Sequence, residues 1–109
     1  MTFRSYLLQR LTAAAMLPLI LAHLALIFYA TRHDLSAADI LARTRGSLGW
    51  GAFYALFVLL AAVHGAIGVR NVVAESVGLT APTLDLLMWT FAILLSLLGL
   101  RAVFAVVAA

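Results

Sequence analysis

The sequence of 109 residues contains no cysteine and no lysine, and only 10% of its residues carry a charge. Without cysteine the chain can form neither a disulfide nor a thiolate metal site, so any iron–sulfur cluster that works beside this protein belongs to another chain. Soluble domains are about half apolar and about a quarter charged, whereas 66% of this chain is hydrophobic. The composition excludes an ordinary soluble globular domain.

The seven basic residues are all arginine, and the isoelectric point near 10.2 raises the question of nucleic-acid binding. The arginines occur singly near the ends of apolar runs and form no basic patch, which argues against a nucleic-acid partner. Arg4, Arg10 and Arg70 fall on one side of the predicted membrane and the other arginines on the opposite side. The positive-inside count therefore leaves the orientation open.

Three apolar runs are long enough to cross a bilayer, at residues 11–30, 51–69 and 86–107. About 20 apolar residues span a hydrocarbon core of roughly 30 Å, and backbone amides in lipid have to be hydrogen-bonded within their own segment. The sequence therefore predicts an all-α membrane protein with three transmembrane helices. The first run has full spanning length and no convincing small-residue cleavage site after it, so we expect a span and not a signal peptide.

The polar connection after the first span contains a helix-start signal. Ser36 followed by Asp39 resembles a capping box with aspartate in the usual glutamate position, and we predict a short surface helix at about 36–45. Within the first span, Pro18 removes one backbone hydrogen bond and is expected to bend the helix, which membrane helices tolerate.

His64 lies inside the second apolar run, six residues before Arg70 and thus about 9 Å from that end. Ionisable residues in a span are costly and usually face a bundle interior, a cavity or a cofactor. Gly68 follows one turn later on the same face and would give clearance to a flat haem macrocycle bound through the imidazole. The alternative is a histidine that hydrogen-bonds a neighbouring helix, with Gly65 and Gly68 permitting close packing. Spacing alone leaves both interpretations open.

Two further histidines have different surroundings. His23 lies in the middle of the first span, about 20 Å from Arg10, and we expect it to hydrogen-bond a neighbouring helix, with a second haem or a proton relay as alternatives. His33 is flanked by Arg32 and Asp34 in the polar connection and is expected to be solvated.

Two segments resemble a known family: "YLLQRLTAAAMLPL" at 6–19 and "HGAIGVRNVVAESV" at 64–77. They look like the small cytochrome b membrane-anchor subunit of succinate dehydrogenase (succinate:quinone oxidoreductase, complex II), which is closely related to fumarate reductase anchors. The Gln-Arg-x-Thr-Ala opening is similar to the D-type anchor, as is His-x-x-Ile-Gly with an acid eleven residues after the histidine. The Gly-Val-Arg triplet is more like the C-type anchor. The resemblance covers nearly the whole chain, so residues 1–109 are interpreted as a single membrane-anchor domain.

The resemblance implies that His64 is an axial ligand of the haem b iron, with Gly68 beside the cofactor. Arg10 matches a family arginine near the haem propionates and quinone pocket. Arg10 and Arg70 are expected to end their helices at one membrane face, a turn or two above His64, where a guanidinium can bind propionates bidentately. The alternative for Arg10 is an interface anchor. Glu75 stands where the family has an aspartate. Ser76 replaces a quinone-bonding tyrosine and reaches less far than a phenol, so the quinone is held differently or its donor is on a partner chain.

The resemblance implies a non-catalytic subunit of an oxidoreductase that is embedded in membrane lipid. The bacterial inner membrane is the expected location, and the mitochondrial inner membrane is the less favoured alternative. This subunit would dock the flavoprotein and iron–sulfur subunits, help to bind haem b, and form part of the quinone site for electron transfer from succinate to quinone. A second cytochrome b anchor subunit is expected to supply the other haem ligand, because His23 lies about 11 Å deeper than His64. We expect that partner to pack against Gly65, Gly68 and Ala62.

Two other functions agree less well with the sequence. A haem-free structural anchor of a fumarate reductase-like complex is disfavoured by the pairing of His64 with Gly68. A small multidrug-type transporter typically has four spans and a carboxylate embedded in the membrane. This chain has three predicted spans, and its acidic residues all lie in connections or at helix ends: Asp34, Asp39, Glu75 and Asp85.

Overall fold

The computed structural model describes residues 3–108, which form four α-helices: α1 (Phe3–Arg32), α2 (Ala37–Thr44), α3 (Leu48–Ser76) and α4 (Ala81–Val107). The three long helices α1, α3 and α4 contain 30, 29 and 27 residues, and each is apolar enough to cross a membrane. At 1.5 Å per residue, each is longer than a hydrocarbon core of roughly 30 Å. The predicted all-α membrane architecture with three spans is confirmed.

The long helices extend beyond the apolar runs that predict them. α1 begins at Phe3, so Arg10 lies about two turns inside the helix, and α3 continues past Arg70 to Ser76. α1 is also continuous through Pro18. A helix continues as long as its backbone hydrogen bonds do, whereas an apolar run ends at the first charge. The expectation that Arg10 and Arg70 end their helices was therefore wrong.

The short helix α2 is held at its start by the capping box that the sequence predicts. The Asp39 backbone N–H donates to Ser36 Oγ at 3.2 Å, and the Ser36 backbone N–H donates to Asp39 Oδ2 at 2.9 Å. The backbone N–H and then the hydroxyl of Ser36 hold the pKa of the Asp39 carboxyl below its usual value. Two backbone donors at the start of α2 are thus satisfied by side chains.

The end of α2 is fastened to the end of α4. Thr44 Oγ1 donates to the Val106 carbonyl at 2.7 Å, and the Gly46 backbone N–H donates to the Val107 carbonyl at 2.6 Å. Gly46 has a φ of 74°, a left-handed conformation that glycine adopts without steric cost. The connection between α1 and α3 is therefore hydrogen-bonded to the last turn of α4.

The central helix of the fold is α3, which packs against both α1 and α4. Small side chains dominate this contact: Ala62 and Ala66 are 2% and 1% exposed. Gly99 of α4 faces Val58 so closely that a Cβ at Gly99 would overlap the valine side chain. Small residues let membrane helices approach, because lipid provides no hydrophobic force between them.

The glycines around His64 contact helices of this same chain. A Cβ on Gly65 would lie 3.8 Å from Leu95 Cδ1 of α4, and a Cβ on Gly68 would lie 3.4 Å from Gln9 Nε2 of α1. Ala62 is buried within the chain as well. Ala62 is therefore not available to a second anchor subunit, whereas Gly65 and Gly68 are half-buried, and their contact with such a subunit stays a prediction.

Candidate functional site

The His64 side chain points from α3 toward α1. Its Nδ1 atom lies 3.2 Å from Thr12 Oγ1 and 3.3 Å from the backbone carbonyl oxygen of Gln9. Both partners belong to the second and third turns of α1. The imidazole is therefore anchored to a neighbouring helix through one of its two ring nitrogens.

The Gln9 contact determines which ring nitrogen carries the hydrogen. A carbonyl oxygen only accepts, so the hydrogen bond at 3.3 Å requires a hydrogen on His64 Nδ1. In a neutral imidazole the other nitrogen, Nε2, then has a free lone pair. His64 therefore has the two features of a metal-binding histidine: a bound Nδ1–H and an Nε2 lone pair for a ligand.

The surface beside Gly68 is occupied by the Gln9 side chain, whose Nε2 atom lies 3.4 Å from the position of a Gly68 Cβ. The Gln9 Oε1 atom is buried and has no hydrogen-bond partner within residues 3–108. The absence of a side chain at Gly68 therefore leaves room for the Gln9 side chain of α1. A buried amide oxygen without a donor is costly, which makes Gln9 a polar group of this site that is ready to accept a hydrogen bond.

Arg10 follows Gln9 directly and lies at the same level of α1, although its side chain is exposed. Its guanidinium lies 5.6 Å from the centre of the Tyr6 ring. Because Gln9 contacts His64, Arg10 is level with the histidine and is not one or two turns above it. Successive helix residues are about 100° apart, so Arg10 lies on a different face of α1 from Gln9.

Glu75 and Ser76 are the last two residues of α3, and both are exposed. They lie about 16 Å or more along the helix axis from His64. Neither side chain forms a hydrogen bond or ion pair with another residue of the described range. The structure places Glu75 and Ser76 at the same end of the bundle as Arg10 but does not bring the three side chains into contact.

His23 lies farther along the same α1–α3 contact. Its ring meets those of Phe57 and Tyr54 edge to face, with centroid distances of 5.5 and 6.1 Å. Within residues 3–108 His23 makes these ring contacts and no hydrogen bond to a neighbouring helix, so the expected hydrogen bond stays a prediction. Two cavities of about 210 and 390 Å³ share His23 and Tyr54 in their linings.

The distance between His23 and His64 follows from the register of the two helices. Thr12 marks the level of His64, and His23 comes eleven residues later on α1. This separation corresponds to about 16 Å along the helix. The two imidazoles are too far apart in depth to bind opposite faces of one haem.

Sequence reasoning missed Thr12 and Gln9, although the chain contains a signal for them. They are polar residues three positions apart within the N-terminal part of the first spanning helix, so they share one face of it. Polar side chains in a span usually face another helix, where they find hydrogen-bond partners. That spacing predicts a polar contact for α1, but it does not identify His64 as the partner.

These observations define an integral membrane protein with three spans and a histidine between α1 and α3 whose Nδ1 atom contacts polar groups of α1. The chain matches the model of the succinate dehydrogenase/fumarate reductase transmembrane subunit family over residues 2–107. It belongs to that family, which confirms the resemblance at the level of the family. Comparisons with curated proteins and with solved structures gave no match.

A haem requires fewer side-chain ligands than a metal ion that is held by side chains alone. Across residues 3–108 no three histidine, aspartate or glutamate side chains gather into a cluster. A haem iron needs only axial ligands from the protein, because the macrocycle supplies the others. His64, with its Nδ1 bound to α1, is suited to provide one of them.

Proposed function

We propose that this chain is a cytochrome b-type anchor subunit that holds the flavoprotein and iron–sulfur subunits of a succinate dehydrogenase at the membrane. His64 ligates a haem b through Nε2, and the chain contributes part of a quinone site. Membership of the transmembrane subunit family supports the anchor role. The complex transfers electrons from succinate to quinone, and the bacterial inner membrane is the proposed location.

The observation that carries this proposal is the anchoring of His64. Its Nδ1 atom donates to acceptors on α1 at 3.2 and 3.3 Å, which orients the imidazole and leaves Nε2 as the ligating atom. Haem b bound there supplies a one-electron carrier within the bilayer. The protein contributes the ligand, the orientation of that ligand and the apolar surroundings.

Arg10 is proposed to bind the haem propionates, since it is level with His64 and its charge has no acidic partner in the described range. Glu75 and Ser76, at the same end of the bundle, are proposed as part of the wall of the quinone pocket. A serine hydroxyl can donate to a quinone carbonyl. Because these side chains lie apart, the rest of the pocket is assigned to the partner subunits.

A second anchor subunit is proposed to provide the other axial ligand, because His23 is about 16 Å from the level of His64. Gly65 and Gly68 are half-buried beside α4 and α1, so they can form only part of the surface for that subunit. The outer faces of the long helices are proposed to form the rest. Exposed leucines and aromatics cover these faces, as at Leu17 and Trp89.

The experiment is a reduced-minus-oxidised optical spectrum of the purified complex, with pyridine haemochrome quantification. His64→Ala should remove or strongly perturb the b-type absorption band while the complex still reaches the membrane. His33→Ala is the matched control, because His33 is exposed and bonded to Tyr29 of its own helix end. An unchanged spectrum and haem content in His64→Ala would exclude the ligand assignment.

The second candidate is a haem-free anchor of a fumarate reductase-like complex. One observation favours it: His64 already has a structural role as a hydrogen-bond donor to α1, and Gln9 covers Gly68. This candidate predicts no haem in the wild-type complex, which the same spectrum tests. Family membership and the absence of a mid-span carboxylate in the described helices leave the transporter alternative without support.

A further inference from the structure

Thr12 is the buried polar residue of α1, with only 4% of its surface exposed. Its hydroxyl lies 2.7 Å from the Leu8 carbonyl oxygen, 3.1 Å from the Gln9 carbonyl oxygen and 3.2 Å from His64 Nδ1. Three polar atoms thus surround one hydroxyl inside a membrane helix pair.

The hydroxyl has a single hydrogen, and the geometry assigns it to the helix of Thr12 itself. Two of the three neighbours are carbonyl oxygens, which can only accept, and Leu8 is the nearest. The hydrogen therefore points at the Leu8 carbonyl, and Thr12 Oγ1 presents its lone pairs to His64. His64 Nδ1–H is then the donor and Thr12 the acceptor.

We infer that Thr12 is the positioning residue of His64 and that it tunes the electron donation of the imidazole to its ligand. This inference rests on the proposed haem-ligating role of His64. The Leu8 carbonyl oxygen accepts the hydrogen of the Thr12 hydroxyl. This bond makes Thr12 Oγ1 a better acceptor for His64 Nδ1–H, because consecutive hydrogen bonds strengthen one another. The hydrogen bonds from Leu8 through Thr12 to His64 orient the ring and strengthen the electron donation of Nε2.

The expected consequence is a lower reduction potential. An acceptor on Nδ1–H makes the imidazole a stronger donor through Nε2, and a stronger donor stabilises ferric over ferrous iron. Removing the acceptor should therefore raise the potential. Groups that hydrogen-bond a metal ligand typically change metal binding by about tenfold or more. If Thr12→Val lowers the preference for ferric iron about tenfold, the reduction potential rises by about 59 mV for one electron.

The variants that test this are Thr12→Val and Thr12→Ser in the intact complex. Valine keeps the shape but removes the acceptor, while serine keeps the hydroxyl and removes one methyl group. The Gln9 carbonyl at 3.3 Å remains in both variants and preserves the Nδ1–H tautomer. Thr31→Val is the matched control, because Thr31 makes the same bond to the carbonyl four residues earlier, Ile27, at an exposed position of α1.

The readouts are a potentiometric haem titration, the electron paramagnetic resonance spectrum of ferric haem, haem content, and thermal stability of the complex. A raised potential in Thr12→Val, with wild-type values in Thr12→Ser and Thr31→Val, supports the inference. So does haem loss in Thr12→Val alone when assembly and stability are unchanged.

Wild-type potentials and spectra in Thr12→Val would overturn the inference, as would equal losses of stability and haem content in Thr12→Val and Thr12→Ser. In the latter case, Thr12 only fills space. The proposed function fails separately, if the wild-type complex contains no haem or if His64→Ala retains it.

Discussion

Arg70 of α3 and Asp85 of α4 form an ion pair, with Arg70 Nε donating to Asp85 Oδ1 at 2.8 Å. The side chains are 18% and 55% exposed, so the pair lies at the edge of the bundle. The charge of Arg70 is therefore balanced within the chain. The Arg10 guanidinium packs over the Tyr6 ring and forms no ion pair within residues 3–108, so its charge is available to an anionic ligand.

The two arginines should accordingly affect haem binding differently. Arg10→Gln should reduce haem retention about tenfold, because a hydrogen bond to a charged group contributes roughly 1.5–3 kcal/mol. Arg70→Gln should change it little, since exposed ion pairs contribute about 0–1 kcal/mol. Haem content after washing the purified complex with detergent measures both. Equal losses in the two variants would contradict the assignment of Arg10.

Gly68→Leu should disturb the contact between α1 and α3. A leucine there would displace the Gln9 side chain, and overpacking of this kind typically costs about 1–3 kcal/mol. We expect lower haem occupancy in the purified complex, because His64 depends on the same contact. Gly68→Ala is the control, since its Cβ would meet Gln9 Nε2 at 3.4 Å. Full haem content and quinone reduction in Gly68→Leu would show that this contact does not govern the site.

Gly99→Ala should destabilise the contact between α3 and α4, because the added Cβ overlaps Val58. The expected cost is about 1–3 kcal/mol, measured as a lower thermal midpoint of the complex. Val58→Ala should recover part of that loss when combined with Gly99→Ala. Gly78→Ala is the matched control, because nothing lies within 4 Å of its Cβ position. If Gly99→Ala and Gly78→Ala melt alike, the close approach is not required.

His23→Leu should leave the His64-bound haem spectroscopically intact, because His23 packs against Phe57 and Tyr54 away from His64. The isolated chain should bind haem weakly or not at all, and co-expression with a second anchor should restore a low-spin spectrum. Optical spectra of both preparations are the measurement. A stable bis-histidine spectrum from the lone chain that His23→Leu abolishes would rule out the two-chain arrangement.

The capping box of α2 should respond to acid. Hydrogen bonds from Ser36 lower the pKa of Asp39 below its ordinary value of 3.8. A lowered folded-state pKa means that the stabilisation is present above the unfolded-state value and is lost as the pH falls through the folded-state value. Carboxyl titration by nuclear magnetic resonance should show this pKa, and Ser36→Ala should raise it toward 3.8.

Arg43→Gln is the control for that titration, because the charge of Arg43 is the weakest of the causes that act on Asp39. It should move the Asp39 pKa upward by less than Ser36→Ala does. A larger shift with Arg43→Gln would mean that charge, and not the reciprocal hydrogen bonds, controls this carboxyl.

Local signals in the sequence were sufficient for the secondary structure. The three apolar runs predict the spans because a backbone in lipid has to satisfy its own hydrogen bonds. The Ser36–Asp39 spacing predicts the start of α2 because both partners of a capping box lie within one turn. Helix ends were less predictable: α1 and α3 extend past Arg10 and Arg70, since an arginine at an interface does not interrupt a helix.

The sequence by itself also determined that His64 is a costly residue in its span and is therefore a candidate ligand. Its partners were decided by the tertiary structure alone. The long helices are apolar around most of their circumference, so their pattern does not reveal which face meets which neighbour. The rotation and register of α1 against α3 bring Thr12 and Gln9, 52 and 55 residues away in sequence, to the Nδ1 atom of His64. The same packing turns Gly65 toward α4 and Gly68 toward α1, because the two glycines lie on different sides of one helix.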